Sequence, residues 1–319
     1  MTHFYVFNGD ADGLCALQQI RLNTPSCSGI LVSGVKRDVD LLRRVNAAHG
    51  DTVDVFDISL NTNRDALLQL LENGVRIRYF DHHYAGSIPS HPNFMSYIDG
   101  SVDVCTSVLV DRYCRGGFHH WAIAAAFGDN LQRVALAMAK AAELDGATID
   151  TLQHLGKYLN YNAYGETVSD LHFNPLDLAE LLRPFEHPLD FARNSAVYSA
   201  LATGYENDMA LMRQIKPTLH VSGATLFVLP ETAWARRAVG EFANEKIREH
   251  PTHALAVLGT KACGNFMVSV RVPATNPVGA DVFCRRFATG GGRTLAGGIN
   301  HLPNQEAHAF ISAFSDCFA

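Results

Sequence analysis

Three polar segments that follow apolar runs carry the side chains that bind divalent metal ions in proteins. The first, Asn8–Gly13, reads NGDADG and has two carboxylates, with glycines that let both turn toward one point. The second is Asp57, directly after the apolar end of Val53–Phe56, and the third is the Asp-His-His run Asp81–His83. Taken one at a time, such segments are equally typical of helix caps and surface turns.

With a fourth acidic position, the pattern indicates a metal site. Asp129 follows Gly128 at the end of a run of small residues, and Asp145 is the alternative to it. Because parallel strands present ligands at their carboxyl ends, the first three segments are expected at one edge of one sheet. Carboxylates crowded there repel one another unless cations neutralise them. Oxygen donors with a minority of imidazoles suit Mn²⁺ or Mg²⁺ better than Zn²⁺.

The elements that must position these residues alternate between strand and helix in the first half of the chain. Strands are predicted at His3–Phe7, Gly29–Val35, Thr52–Phe56 and Val75–Phe80, and helices at Leu14–Leu22, Asp40–Ala48 and Arg64–Glu72. This alternation is typical of a mainly parallel sheet covered by helices.

Residues 102–216 are predicted to be almost wholly helical, and a second α/β region follows. A helix over Ala192–Ile215 is long enough to connect two domains, and Pro217 interrupts the helical pattern after it. In the second region, strands are predicted at Ala224–Leu229, Ala254–Leu258 and Phe266–Val272, and helices at Ala233–Glu249, Ala280–Phe287 and Glu306–Phe314. We therefore predict a catalytic domain over residues 1–190, a helical connector over 191–221 and a smaller α/β domain over 222–319.

Composition and charge limit the function classes. The 26 basic residues are outnumbered by 32 acidic ones, for a net charge of −6, which argues against a track for long nucleic acid. The apolar runs are too short to cross a bilayer, and no signal peptide is visible at the N-terminus. Seven cysteines, with no CxxC spacing, predict free thiols in a reducing compartment, and hence the cytoplasm.

The motifs, in this order, resemble those of a known superfamily. The order DxD-G, Asp57, DHH and Gly128-Asp129 is similar to motifs I to IV of the DHH phosphoesterases. The later runs VSVR, ending at Arg271, and GGGRTLAGG, over residues 290–298, resemble the DHHA1 substrate domain. The size and two-lobed layout resemble the branch of nano-RNases, oligoribonucleases and cyclic-dinucleotide phosphodiesterases. The implied fold is α/β, with a mainly parallel DHH domain, a helical connector and a smaller DHHA1 domain.

The resemblance implies a role for each matching residue in a site with two Mn²⁺ ions, with Mg²⁺ as the alternative. Asp10 would serve the first metal, Asp12, His82 and Asp129 the second, and Asp57 would bridge both; His83 would lie beside the scissile phosphate, and Arg271, Gly291, Gly292 and Arg293 would bind substrate. Asn8 stands where relatives usually carry a histidine ligand, and Arg293 where the glycine-rich motif normally continues with histidine.

The expected activity is hydrolysis of short RNA, above all linear dinucleotides such as pGpG, to mononucleotides. The alternatives are a cyclic-dinucleotide phosphodiesterase, a phosphatase of 3′-phosphoadenosine 5′-phosphate and a non-catalytic nucleotide sensor, which Asn8 keeps open. An inorganic polyphosphatase fits less well, because the glycine-rich motif points to nucleotides. The expected partner is a short RNA or dinucleotide, with no long nucleic acid and no membrane, and self-association as a homodimer is left open.

Overall fold

The structure is a computed structural model that describes residues 1–25 and 28–319. It divides into two compact units, Met1–Thr203 and Gly204–Ala319. The separate connector over residues 191–221 stays a prediction. Among the described residues, no helix has both the length and the apolar character needed to span a membrane. The six described cysteines are free thiols, and Cys27 lies outside the described residues.

The first unit contains a five-stranded sheet and most of the helices. Its strands are β1 (His3–Phe7), β2 (Ile30–Val32), β3 (Thr52–Phe56), β4 (Arg76–Asp81) and β5 (Phe94–Ile98). Its helices are α1 (Ala11–Asn23), α2 (Leu60–Glu72), α3 (Thr106–Tyr113), α4 (His119–Gly128), α5 (Gln132–Ala141), α6 (Gly146–Asn162), α7 (Pro175–Leu182) and α8 (Pro188–Asn194), and α9 (Ala196–Met212) runs across the division between the units.

The sheet is parallel throughout, with the strand order β2-β1-β3-β4-β5. In its register Phe7 lies opposite Phe56, and Phe56 lies opposite Phe80. Because the residues that follow these strands lie at one edge of the sheet, the polar runs after β1, β3 and β4 meet there. The structure confirms the predicted α/β class and the parallel first sheet.

Both faces of the central strands are buried, as is typical of a parallel sheet covered by helices. Val6, Val55 and Tyr79 belong to one core cluster that also contains α2 side chains. Side chains alternate between the two faces of a strand, so Phe7 and Phe80 lie on the opposite face, and they are buried as well. This burial on both sides explains why the strands appear in the sequence as nearly continuous apolar runs.

Helix α4 packs tightly against α6 and brings the end of α4 close to the sheet edge. Every residue of α4 from Trp121 to Gly128 is buried. A Cβ atom on Gly156 of α6 would lie 2.0 Å from the backbone oxygen of Ala124. Only glycine therefore permits this distance between the helices, which in turn fixes the position of Asp129, the residue that follows α4.

Three sequence predictions that bear on this unit need correction. The single helix predicted over Ala192–Ile215 is wrong, because α8 ends at Asn194 and α9 begins at Ala196, with Ser195 extended between them. The helix predicted over Asp40–Ala48 is wrong, because the segment forms a single 3₁₀ turn at Leu41–Arg44. The Asn63 side chain accepts a hydrogen bond from the Leu42 amide and donates one to the Val39 carbonyl, and these long-range bonds replace helical ones. Strand β5 was missed, because its residues are half-exposed at the sheet edge and lack a continuous apolar run.

The second unit is a mixed six-stranded sheet with three helices. Its strands are β6 (Leu219–Val221), β7 (Ala224–Leu229), β8 (Ala254–Thr260), β9 (Phe266–Arg271), β10 (Gly290–Arg293) and β11 (Ala296–Leu302), and its helices are α10 (Ala233–Glu249), α11 (Ala280–Cys284) and α12 (Ala307–Phe318). The order is β10-β11-β9-β8-β7-β6, and β7 and β8 are the one parallel pair among these strands. A cluster of phenylalanines from α11 and α12 covers one face.

The glycine-rich run Gly290–Arg293 forms β10, which pairs with β11 as one strand of a hairpin. Gly291 lies opposite Gly298, and Arg293 lies opposite Ala296. Gly292 has φ +134°, and a Cβ atom there would lie 2.5 Å from the Cα atom of Gly297. The glycines thus allow a close pairing of two strands.

Candidate metal centre

The loop after β1 begins α1 with a carboxylate cap. One oxygen of Asp10, Oδ1, accepts hydrogen bonds from the backbone amides of Asp12 (3.1 Å) and Gly13 (3.2 Å). Asn8 precedes it and is buried, and its Oδ1 has no hydrogen-bond partner within residues 1–25 and 28–319. A buried, unpaired carbonyl oxygen is a group that a cation or another donor would satisfy.

Asp12 links the start of α1 to the start of α3. Its two oxygens accept hydrogen bonds from the backbone amides of Thr106 and Ser107, each at 2.7 Å. Burial, followed by the charge of Asp57, raises the pKa of Asp12 to about 7. The carboxylate is therefore held in a fixed orientation, but its negative charge is poorly compensated by the protein.

Asp57 lies at the end of β3 in a left-handed backbone conformation, with φ +60°. Its amide donates to the Phe80 carbonyl at 3.0 Å, and its Oδ1 accepts from the Thr106 hydroxyl at 3.2 Å. Burial and the nearby Asp10 charge raise the pKa of Asp57 to about 6. A non-glycine residue with positive φ is costly and persists where surrounding structure imposes it, which is common at functional sites.

In the Asp81–His83 run, Asp81 orients its neighbours, and the two histidines face the site. Asp81 Oδ1 accepts from the backbone amides of His82 and His83 and from His83 Nδ1, the last at 2.7 Å. His82 Nδ1 lies 3.0 Å from the Val104 carbonyl, which can only accept, so this nitrogen carries the proton. The Nε2 atom of a neutral His82 is consequently free to act as a ligand.

Three carboxylates surround His82 Nε2. It lies 3.4 Å from Asp57 Oδ1, 3.8 Å from Asp129 Oδ2 and 3.9 Å from Asp12 Oδ2. Burial favours the neutral imidazole, yet the carboxylates more than offset it and raise the pKa of His82 to about 10. For the Asp129 carboxyl, by contrast, burial raises the pKa.

The donor atoms form two overlapping groups that could hold a cation. Asp12, His82 and Asp129 form one, and Asp57, His82 and His83 form the other, with the ligand atoms of each group within 4.8 Å of one another. The first set, with two carboxylates and one imidazole, suits Mn²⁺ and also admits Mg²⁺, whereas the second has two imidazoles and one carboxylate. The residues fit a divalent ion, because a bound cation would neutralise carboxylates that otherwise repel one another.

Lys36 belongs to this site, although no sequence motif pointed to it. Its ammonium group contacts Asp10 Oδ2, lies 3.0 Å from Asn160 Oδ1 and is 5.5 Å from the centre of the Tyr164 ring. Burial opposes the charge, but Asp10 raises the pKa of Lys36 well above its ordinary value. Although burial acts the other way, Lys36 in turn lowers the pKa of Asp10.

The structure brings most of the predicted metal residues together in the first unit. Asp12, Asp57, His82 and Asp129 are adjacent, and Asp10 is engaged by Lys36. Asp145, the alternative to Asp129, instead caps α6 by accepting from the Thr148 amide at 2.8 Å.

The predicted substrate residues lie in the second unit. Ala296 of β11 pairs with Arg293 of β10 on one side and with Arg271 of β9 on the other. Residues directly opposite one another share a face of a sheet, so the two arginines lie on one face, about 10 Å apart by strand spacing. Arg293 is exposed, and Arg271 Nε lies 3.3 Å from Asn244 Oδ1.

Comparison with known proteins identifies the fold. No protein-family model matches the chain, and no curated protein matches its sequence. RecJ from Thermus thermophilus in complex with Mn²⁺ aligns over 99% of this chain and 51% of its own, with a TM-score of 0.62 and 14% identity. An exonuclease RecJ bound to manganese aligns over 99% and 89%, with a TM-score of 0.54 and 17% identity.

A third similar structure is that of a smaller protein. The pGpG-specific phosphodiesterase PggH from Vibrio cholerae aligns over 99% of this chain and 100% of its own, with a TM-score of 0.56 and 13% identity. By contrast, this chain spans about half the length of the Thermus RecJ chain. The chain shares the α/β fold of these three structures.

Proposed function

We propose that this chain is a metal-dependent phosphodiesterase that hydrolyses short RNA, above all linear dinucleotides such as pGpG, to mononucleotides. The observation that carries the proposal is the position of His82 Nε2, within 3.9 Å of three carboxylates at one edge of a DHH-type sheet. A bound divalent ion, Mn²⁺ or alternatively Mg²⁺, would supply Lewis-acid activation of water and charge neutralisation there. The compartment consistent with the free thiols is the cytoplasm.

The residues of the first unit would have two roles, binding of the ion and binding of the phosphate. Asp12, His82, Asp129 and Asp57 would hold the ion, with Asp57 kept in place by its backbone bond to β4. His83 is 38% exposed on its side chain, and Asp81 occupies its Nδ1, so Nε2 is the nitrogen available to a phosphate. It would bind the scissile phosphate and hold a proton close to the leaving oxygen.

The second unit supports a short substrate. Arg271 and Arg293, on one face of the sheet, can bind phosphate groups or a guanine edge. Gly291 and Gly292 leave the backbone beside Arg293 uncovered by side chains, so amide groups can approach a ligand. Because the chain is acidic overall, these few cations favour a dinucleotide over a long strand.

The test is hydrolysis of RNAs of two, three, five and ten nucleotides by purified protein with Mn²⁺, followed by chromatography. Cyclic dinucleotide and 3′-phosphoadenosine 5′-phosphate are included as competing substrates. We expect the highest kcat/KM on dinucleotides and no hydrolysis with a chelator. Equal rates on two and ten nucleotides would refute the short-substrate proposal, and preferential cleavage of either competing substrate would reassign the reaction.

Two arginine variants test the role of the second unit. Arg293→Ala should raise KM about 10- to 100-fold at nearly unchanged kcat, because a charge-assisted contact away from the reacting phosphorus is lost. Arg248→Ala removes an exposed arginine from α10 in the same unit and serves as the matched control. Equal kinetics for both variants would exclude Arg293 from substrate binding.

A further inference from the structure

We infer that the Lys36 ammonium group takes the place of the first metal ion of a two-metal centre, so that this chain binds a single divalent ion. The inference rests on the proposed function, since it concerns the same centre. It departs from the two-metal arrangement that the sequence motifs implied, in which Asp10 would serve one ion and Asp12 the other.

Both oxygens of Asp10 are already used by the protein. Oδ1 accepts the backbone amides of Asp12 and Gly13, and Oδ2 contacts the Lys36 ammonium. An ion bound at Asp10 would have to displace the lysine or lie beside a positive charge. Neither arrangement is favourable where the site is buried and water is scarce.

Lys36 is held in place rather than resting on the surface. Its backbone amide donates to the Ala163 carbonyl at 2.9 Å, just after α6. Its ammonium donates to Asn160 Oδ1 at 3.0 Å and lies over the Tyr164 ring, and its side chain is 24% exposed. Three contacts from one segment thus direct the charge toward Asp10.

The charge balance of the remaining donors also favours a single ion. Asp10 and Lys36 together carry no net charge. Asn8 offers a neutral amide oxygen, which can accept a hydrogen bond from an ammonium group or water instead of coordinating a metal ion. Asp12, Asp57 and Asp129 remain, grouped around His82. Three carboxylates and one imidazole suit one divalent ion, whereas two ions would share them with an ammonium group nearby.

The test is the number of Mn²⁺ ions bound per chain, measured by native mass spectrometry and elemental analysis after saturation and buffer exchange. We expect one ion in the wild type, with an electron paramagnetic resonance spectrum of isolated Mn²⁺. Two ions, or the exchange-coupled signal of a manganese pair, would overturn the inference and leave the phosphodiesterase proposal standing. Binding of no ion would instead overturn the metal centre itself.

Variants extend the test beyond the wild type. The double variant Asn8→His/Lys36→Met restores an imidazole and removes the ammonium, so it should bind two ions and show the coupled signal. Lys140→Met changes an exposed lysine of α5 and should keep one ion. A folded double variant that still binds one ion would contradict the inference, and the wild-type count decides it if that variant does not fold.

Discussion

Replacement of Asp57 by asparagine should stabilise the metal-free protein while it weakens metal binding. The Asp57 carboxylate is buried, and burial together with the Asp10 charge raises its pKa to about 6. Because the pKa in the unfolded chain is about 3.9, the folded state binds the proton more tightly. The metal-free protein therefore loses stability as the pH rises from about 4 to 6, and stays less stable above it.

The size of the effect can be worked out from that difference. Two pKa units correspond to about 3 kcal/mol at pH 7 and above. For a unit of this size that is a rise of roughly 6–12 °C in the melting temperature. Asparagine tolerates the left-handed conformation at this position and can still accept the Thr106 hydroxyl hydrogen bond, so the substitution removes mainly the charge.

The assay is thermal unfolding of wild type, Asp57→Asn and Asp57→Ala at pH 5 and pH 8, with a chelator or with Mn²⁺. Asp65→Asn, on the exposed side of α2, is the control. With the chelator, Asp57→Asn should melt higher than wild type at pH 8 and by less at pH 5. Asp57→Ala should be less stable than Asp57→Asn by ~1 kcal/mol, since alanine disfavours positive φ. A lower melting temperature of Asp57→Asn at pH 8 would refute this account.

Three further substitutions test other parts of the first unit. Asp54→Asn should cost about 3–5 kcal/mol by leaving Arg78 without its buried partner. Although burial acts the other way, His3 and Arg78 lower the pKa of Asp54. In urea unfolding, the variant should therefore lose less stability below pH 4 than the wild type does. Gly156→Ala should cost about 1–3 kcal/mol and weaken Mn²⁺ binding in calorimetry, since it forces α4 away from α6. His83→Gln should lower kcat about 10²- to 10⁴-fold with unchanged Mn²⁺ content.

The carboxylates that the sequence predicted for the site are those that directly follow strands of the parallel sheet. Asp57 and Asp81 come after apolar strand residues, Phe56 and Phe80, that are paired in the parallel register. Neighbouring parallel strands in this register therefore place their next residues at one edge of the sheet, whatever the rest of the chain does. A single carboxylate after a strand is also typical of a helix cap, so the repetition of such residues after three strands is what indicated a metal site.

The missed features depend on partners that are far away in the sequence. Lys36 contacts Asp10, which is 26 residues away, and Asn160, which is 124 residues away. Its position after β2 was visible in the sequence, but a single lysine after a strand forms no motif, and its partner Asn160 lies in α6. The wrong helix at Asp40–Ala48 has the same origin, because Asn63 of α2 competes for its backbone groups.

The centre illustrates how a fold can retain charges that oppose its stability. Asp12 and Asp57 are held by hydrogen bonds with the backbone of α3 and β4. The free-energy cost of burying these two carboxylates is offset by strands that are buried on both faces. A cation from solution compensates these carboxylates only while it is bound, whereas the Lys36 ammonium compensates Asp10 permanently. The internal charge reduces the repulsion that must be tolerated without metal, and so allows the remaining donors to stay preorganised around His82.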